Sequence, residues 1–383
     1  MTRNFPRAVI LNNEIIPYRV PLFRALHGRP DLEVRVLLST TRSRERKWTV
    51  DPAGLPFPHE ILPGVCLSLP KRKFSEKRSI YFNPTLLPRL VQLRPDVVVA
   101  YEFSIPSMTA LLYARLARRP LLIWSECTTV SDRFLTAGQR WTRSVIIPRV
   151  QGFFGTSASA CRNLEALGAA PDRVLEAPQV HQVGWIAQET ARIRGTPDGA
   201  GETILFVGSL IERKGIRLLL EAFARVGARR PAARLRIVGE GPLRRRLERE
   251  AARLGIAGRV DFAGFVEPTQ IPAQYAEAGL FVLPTLEDTF AVVIVEAMAA
   301  GVPVICSPFA GVSTYLRDGE DAFVADPNDT ELLAARIDRL LEDRGLRARF
   351  SARGREISKT FEADSVAEIF AKGIRDAAAR GMA

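Results

Sequence analysis

The sequence predicts an α/β protein made of two doubly wound domains, and three observations lead there. Short apolar segments rich in β-branched residues alternate with longer amphipathic ones along the chain. They fall into two runs of five, one in each half. At 383 residues, 47% hydrophobic and 25% charged, the chain is longer than a common single domain and apolar enough to fill two cores.

The first run of expected strands is Ala8–Leu11, Val34–Leu38, Val97–Ala100, Leu121–Trp124 and Gly152–Gly155. The second is Thr203–Val207, Leu235–Val238, Val260–Ala263, Leu280–Leu283 and Pro303–Ile305. Segments between them, such as Ile216–Ala228 and Leu243–Leu254, keep their apolar residues on one side at helical spacing. Strands that are apolar almost throughout belong in parallel sheets with helices on both faces. The boundary is expected in Ala177–Gly201, which holds Pro178, Gly184, Gly195, Pro197, Gly199 and Gly201 and no sustained apolar period. The expected domains are therefore 1–185 and 186–360, with a helix over 361–383 packing back on the first. Ligands of doubly wound folds lie beyond the carboxyl ends of the strands. Two such domains facing a cleft would offer a different substrate on each wall, as a transferase requires.

Charge separates the halves. Residues 1–185 carry 26 Lys+Arg against 14 Asp+Glu, whereas residues 186–383 carry 28 of each, so the first half holds all of the net +12. It is densest at Arg42–Lys47 and Lys71–Arg78. Such asymmetry attracts polyanions: an anionic membrane surface, a phosphate-bearing acceptor or nucleic acid, or else it is a solvated arginine-rich surface. Four scattered cysteines form no CxxC pair, and the three histidines are far apart, so neither a disulfide framework nor a histidine metal site is expected. The first residues hold too short an apolar run for a secretion signal. The longest uncharged stretch, Ala297–Leu316, contains two glycines and two prolines and does not read as a membrane span. A cytoplasmic protein is expected.

The second half carries the clearest chemistry. Thr203–Val207 runs into Gly208-Ser209-Leu210-Ile211-Glu212-Arg213-Lys214-Gly215 and then a helix. Glycines bracketing such a turn, with two cations at the helix mouth, suit a diphosphate, although a solvated Arg-Lys pair looks the same. Leu235–Val238 ends in Gly239-Glu240-Gly241-Pro242, and Val260–Ala263 in Gly264-Phe265-Val266. In Pro284–Ser307 a strand gives way to a loop with Glu287 and Asp288, a helix expected to begin near Phe290, then Glu296 and a closing Gly301. Asp288 and Glu296 stand too far apart in the chain to touch, but could hold two parts of one elongated ligand. Alternatively Asp288 or Thr289 caps the helix and Glu296 is a buried carboxylate.

From GSLIERKG through GEGP, GFV and DTFAVVIVEAMAAGVPVICS to GVSTYLRDGEDAFVADPND, residues 203–343 resemble the retaining glycosyltransferase family four, which has the GT-B fold. The resemblance implies that Lys214 and Arg213 grip the diphosphate of a nucleotide sugar, with Ser209 and Gly239 in the same donor-binding set. It implies that Glu296 bonds the ribose, that Phe265 and Val266 frame the base, and that Asp288 touches the donor sugar. Phe290, Ala291 and Val292 would offer backbone N–H groups. Three positions depart from the family pattern: Ser209 replaces an arginine, Asp288 a glutamate and Ala291 a glycine.

The first half is similar to one branch of the same family through Ile16–Phe23 and the GTSASACRNLEALG segment. Glu126, after Leu121–Trp124, falls where relatives often carry a group facing the anomeric carbon. A carboxylate there could take the acceptor proton or stabilise oxocarbenium character, or could simply pair with Arg133. Ser157 reads as a helix cap. No DxD motif occurs, so neither a metal nor any cofactor beyond the donor is expected.

The resemblance thus implies a retaining glycosyltransferase of hexosyltransferase type, with Glu126 and Asp288 as catalytic residues. Its donor would be a nucleotide-diphosphate sugar. Its acceptor would be a saccharide or a lipid-linked one in bacterial polysaccharide or glycolipid assembly, at the inner face of the plasma membrane. Two readings stay open: an epimerase of the free nucleotide sugar, and a catalytically weak polyanion-binding protein. Nucleic acid is the least expected partner. A nicotinamide dehydrogenase is disfavoured because no strand is followed by GxGxxG.

Overall fold

The structure is a computed structural model that describes residues 5–40, 51–70, 77–194 and 201–381. It divides into two compact units: the described residues up to His181 together with those from Ala363 on, and Gln182–Glu362.

The first unit contains strands β1 (Arg7–Asn12), β2 (Glu33–Leu38), β3 (His59–Ile61), β4 (Val65–Pro70), β5 (Lys77–Phe82), β6 (Val97–Tyr101), β7 (Leu121–Ser125), β8 (Gly152–Gly155) and β9 (Val174–Glu176). Seven of them form a parallel sheet in the order β3-β2-β1-β6-β7-β8-β9, while β4 and β5 make a separate antiparallel pair. Strand order reverses between β1 and β6, which makes that point the place for a ligand.

The second unit contains β10 (Thr203–Val207), β11 (Arg234–Val238), β12 (Val260–Gly264), β13 (Leu280–Leu283), β14 (Val304–Cys306) and β15 (Phe323–Val324). They form one parallel sheet, β12-β11-β10-β13-β14-β15, reversing between β10 and β13. Both sheets are doubly wound, and the fold is the GT-B fold. All four residues of β13 and all three of β14 are buried, as central strands covered on both faces must be.

The segment expected to be a breaker-rich linker differs from that expectation. Val183–Arg194 is a helix of the second unit, burying Val183, Ile186 and Thr190. It packs on the helices Ile271–Ala276 and Val292–Ala299. The Arg194 guanidinium bonds the carbonyls of Tyr275, Ala276 and Ala300 at helix ends, where free acceptors and the dipole favour a cation. The chain therefore changes unit after His181, inside the expected segment Ala177–Gly201 and four residues before the expected bound at 185.

Beyond Glu362 the helix Ala363–Arg380 packs on the first unit, against helix Val20–His27 and strands β6 to β9. Its Phe370 stacks on Phe154 at 4.3 Å and meets Trp124 edge-on at 5.1 Å. Arg29 pairs with Glu368 at 2.7 Å, and Arg375 with Asp31, around that seam.

Of the two basic clusters, Arg42–Lys47 lies outside the described residues, as does Lys71–Glu76. Among the described residues no helix is long and apolar enough to cross a membrane.

Candidate active site

In the second unit the expected donor residues gather at the carboxyl ends of β10 to β13. After β10, Glu212–Lys214 forms one tight turn that ends on Gly215 in the left-handed region, φ 68°. A Cβ at Gly215 would stand 1.9 Å from the Pro284 carbonyl oxygen, so only glycine lets this turn lie against the loop after β13. That approach delivers the cations. The Leu286 N–H and the Thr285 hydroxyl both donate to the Arg213 carbonyl, at 2.6 and 2.9 Å. The Arg213 guanidinium donates to the Glu287 carbonyl at 3.0 Å.

Lys214 Nζ then reaches Asp288 at 2.5 Å, with Arg213 3.7 Å from the same carboxylate oxygen. Burial pushes the Asp288 carboxyl up, but Lys214 and Arg213 outweigh it and hold it below its ordinary range.

Two expected features change. The helix begins at Val292, not Phe290. The Phe290 N–H is already occupied by Asp288 Oδ1 at 3.2 Å, so Asp288 caps its own loop and that amide is not on offer to a donor. The Phe290 ring is buried against Tyr315 and Phe361 and serves as a core anchor. Ala291 sits at φ 75°, ψ 62°, the left-handed region that the glycine usual in the family occupies without strain. The amides of Ala291 and Val292 head the helix, where no preceding turn pairs with them.

One turn on, Glu296 meets a residue that the sequence did not single out. The Tyr275 hydroxyl, fully buried, donates to Glu296 Oε2 at 2.8 Å and stands 3.1 Å from the Val293 carbonyl. Burial, and next the Glu296 carboxylate, hold the Tyr275 phenol well above its ordinary pKa, so it remains a donor.

Gly239 follows β11 at φ 132° and donates to the Gly264 carbonyl at 2.7 Å; a Cβ there would fall 2.0 Å from the Gly208 carbonyl oxygen. The ends of β10, β11 and β12 are thereby stacked side by side. Ser209 is exposed at this rim, and Phe265, 37% exposed, leaves β12 beside half-buried Val266.

The first unit builds a second polar cluster at its own switch point. Glu126 does not pair with Arg133. It takes Arg19 Nη2 at 2.5 Å, while Arg19 Nη1 donates to Asn12 Oδ1 at 2.6 Å. The Arg19 guanidinium lies 4.0 Å over the Tyr101 ring and 4.7 Å over that of Trp124, and these two rings, themselves 5.4 Å apart, hold it together from one side.

Beneath it Glu102, at φ 59°, accepts the Glu126 N–H at 2.6 Å, the Ser125 hydroxyl at 3.1 Å and the Cys127 thiol at 3.2 Å. Burial pushes the Glu102 carboxyl up. Ser157 caps helix Ala158–Ala166 by accepting the Ala160 N–H at 3.1 Å.

Arg19 and Glu102 were missed for different reasons. Glu102 follows β6 just as Glu126 follows β7, and that repetition is a readable signal. Arg19 lies in the Ile16–Phe23 segment, but 107 positions separate it from Glu126 and nothing in the sequence pairs the two.

The two doubly wound units define a GT-B architecture. Its solved neighbours include Anabaena Alr3699/HepE in complex with UDP, with a TM-score of 0.75 at 18% identity over 97% of this chain and 100% of that one. Another is the sucrose-phosphate synthase of Thermosynechococcus elongatus, with a TM-score of 0.75 at 18% identity over 98% and 100%.

The family described as Glycosyl transferases group 1 matches residues 187–357. The phosphatidyl-myo-inositol mannosyltransferase of Mycobacterium tuberculosis is 33% identical over 281 residues, 71% of each chain. This chain belongs to the Glycosyl transferases group 1 family. The lipopolysaccharide core biosynthesis glycosyltransferase LpsE of Rhizobium meliloti is 30% identical over 221 residues, 54% of this chain and 62% of that protein. The chain spans less than two thirds of the length of LpsE, and 21% of an exopolysaccharide phosphotransferase of Streptomyces coelicolor.

Proposed function

We propose that the protein is a retaining glycosyltransferase of hexosyltransferase type, moving a sugar from a nucleotide-diphosphate sugar to a saccharide or lipid-linked acceptor in surface-polysaccharide or glycolipid assembly. The observation that carries this reading is the corner where Arg213 and Lys214 converge on Asp288, with Glu296 a short helical step further on. Cations of that kind neutralise a leaving diphosphate, and a carboxylate aimed by Tyr275 accepts hydroxyl hydrogens from a ribose. Ser209, Gly239 and the amides of Ala291 and Val292 line the same donor side, and the exposed Phe265 with Val266 offers a face to a planar base. Asp288 touches the donor sugar, and Glu126 serves the acceptor hydroxyl. No metal or further cofactor enters this scheme.

The reading is supported by relatives whose names place them in lipopolysaccharide and phosphatidyl-inositol glycosylation, and by a fold neighbour that holds UDP. The excess of Lys and Arg in residues 1–185 supports work in the cytoplasm against the anionic inner face of a membrane.

The test is turnover of UDP- and GDP-sugars by the wild type and by a Lys214→Ala, Glu296→Ala double variant. Loss of donor binding in the variant and an unchanged anomeric configuration in the transferred sugar, read by NMR, are the expected results. Unaltered uptake of every sugar nucleotide by the double variant would refute the reading, and an isomeric sugar released without acceptor would mark an epimerase instead.

A further inference from the structure

The β4–β5 hairpin breaks the usual rule that the outward row of a half-covered antiparallel pair is polar. Directly opposed residues share a face, and successive pairs alternate. Val65 opposes Phe82 and Leu67 opposes Ile80 on one face; Cys66 opposes Tyr81 on the other. Tyr81 is buried, so its face looks inward. Val65, Leu67 and Phe82 are 57%, 56% and 54% exposed, so the outward face is apolar.

Two neighbouring helices also expose apolar side chains. Helix Ile105–Ala117 packs against β5 and against helix Leu86–Leu93. Ile105, Leu112 and Leu116, spaced along one helical face, are exposed, as is Val91 on the shorter helix. Seven of the twelve large apolar side chains exposed among the described residues thus come from residues 65–117.

Cations accompany them. Both helices end on an arginine in the left-handed region, Arg94 at φ 48° and Arg118 at φ 50°, where glycine is the unstrained choice. Arg94, Arg115 and Arg118 are all exposed beside Val91, Leu112 and Leu116 in the chain. Residues 65–118 carry 9 Lys+Arg against 3 Asp+Glu.

We propose that this face, the outer side of the β4–β5 hairpin with helices Leu86–Leu93 and Ile105–Ala117, docks on an anionic lipid bilayer. Apolar side chains enter the interface while guanidinium groups stay at headgroup level. Charge selects this occupant: a second copy of the chain would bring the same cationic surface against itself, whereas anionic headgroups complement it. The inference rests on the reading that the acceptor is carried at a membrane, and it names the surface that brings the enzyme there.

The test is co-sedimentation of the full chain with vesicles of phosphatidylcholine alone and of phosphatidylcholine mixed with phosphatidylglycerol, over a salt series. The wild type is expected to sediment with the mixed vesicles only, and less as salt rises. Leu67→Ser with Phe82→Ser is expected to weaken that partition at least about tenfold. Each of Arg94→Gln, Arg115→Gln and Arg118→Gln should weaken it about fivefold. Thermal melts and donor hydrolysis in solution stay at wild-type values in all of these, because the altered side chains are exposed and remote in sequence from the donor residues.

Wild-type protein that ignores anionic lipid, or a double variant that binds as the wild type does, overturns the proposal. So does a wild-type dimer that Leu67→Ser with Phe82→Ser makes monomeric, which would assign the face to a second copy. Vesicle binding through this face without turnover of any sugar nucleotide would leave the docking surface standing and remove the proposed transfer.

Discussion

Lys214 and Asp288, 74 positions apart in the chain, meet at 2.5 Å, so the carboxylate occupies the cation assigned to a donor diphosphate. An incoming nucleotide must compete with Asp288 for that ammonium group. Asp288→Asn should therefore bind UDP or GDP more tightly, by about fivefold, the equivalent of one released ion pair worth ~1 kcal/mol. Turnover of the sugar nucleotide should fall at least about a hundredfold, because the carboxylate assigned to the sugar is gone. Isothermal titration with the nucleoside diphosphate and a donor-turnover assay measure the two effects separately.

The same pair sets an acid limb. The native Asp288 carboxyl lies below its ordinary value of 3.8, so the native state holds its proton more weakly than the unfolded chain does. Its stabilising contribution is complete above 3.8 and disappears as pH falls through the lower native value. Urea denaturation of wild type and Asp288→Asn from about pH 6 to about pH 3 should show their stability difference shrinking at the acid end. A gap that widens there would contradict this assignment.

Tyr275 orients Glu296 without a place of its own in the donor contacts. Tyr275→Phe keeps the buried ring and removes one hydrogen bond worth roughly 0.5–1.5 kcal/mol. The expected signature is a KM for the sugar nucleotide raised by a few-fold to about tenfold with kcat little changed, alongside a native melting profile. A fall in kcat alone would place Tyr275 elsewhere in the scheme.

Ala291 is the simplest stability test. Its φ of 75° strains an L-residue by roughly 1–2 kcal/mol, which glycine avoids while adding freedom to the unfolded chain. Ala291→Gly should raise the thermal midpoint by a few degrees, and a β-branched residue there should lower it. Calorimetry reads both.

Strand positions were legible wherever a strand is central. Gly152–Gly155, Thr203–Val207 and Leu280–Leu283 match their expected bounds because all but Thr203 of their residues are buried and none is charged. Edge strand β12 was expected almost to its bounds, but the shorter edge strands gave no such signal. β3 is three residues including Glu60, and β15 is two, each too short to show a period. The β4–β5 hairpin was hidden by its basic connection, which reads as a charge cluster.

Within the site, the sequence pointed to Lys214, Asp288 and Glu296 because they sit in contiguous motifs. It did not point to Tyr275 or Arg19, whose partners lie 21 and 107 positions away and are brought close only by the sheet. The expected linker failed for a related reason: Val183, Ile186 and Thr190 mark a helical face, but Gly184 and the breakers beyond Arg194 dominated its composition.

The helix Ala363–Arg380 gives the chain a consequence for how it is made. Its Phe370 closes the apolar side around Trp124 and Phe154, and it leaves the ribosome 246 and 216 residues after those rings. During synthesis the middle of the chain can complete its own core first, while the earlier sheet waits with an aromatic face uncovered. Translation that stalls before Ala363 leaves that face open to solvent and to aggregation, so this late helix acts as the seal on a sheet made well before it.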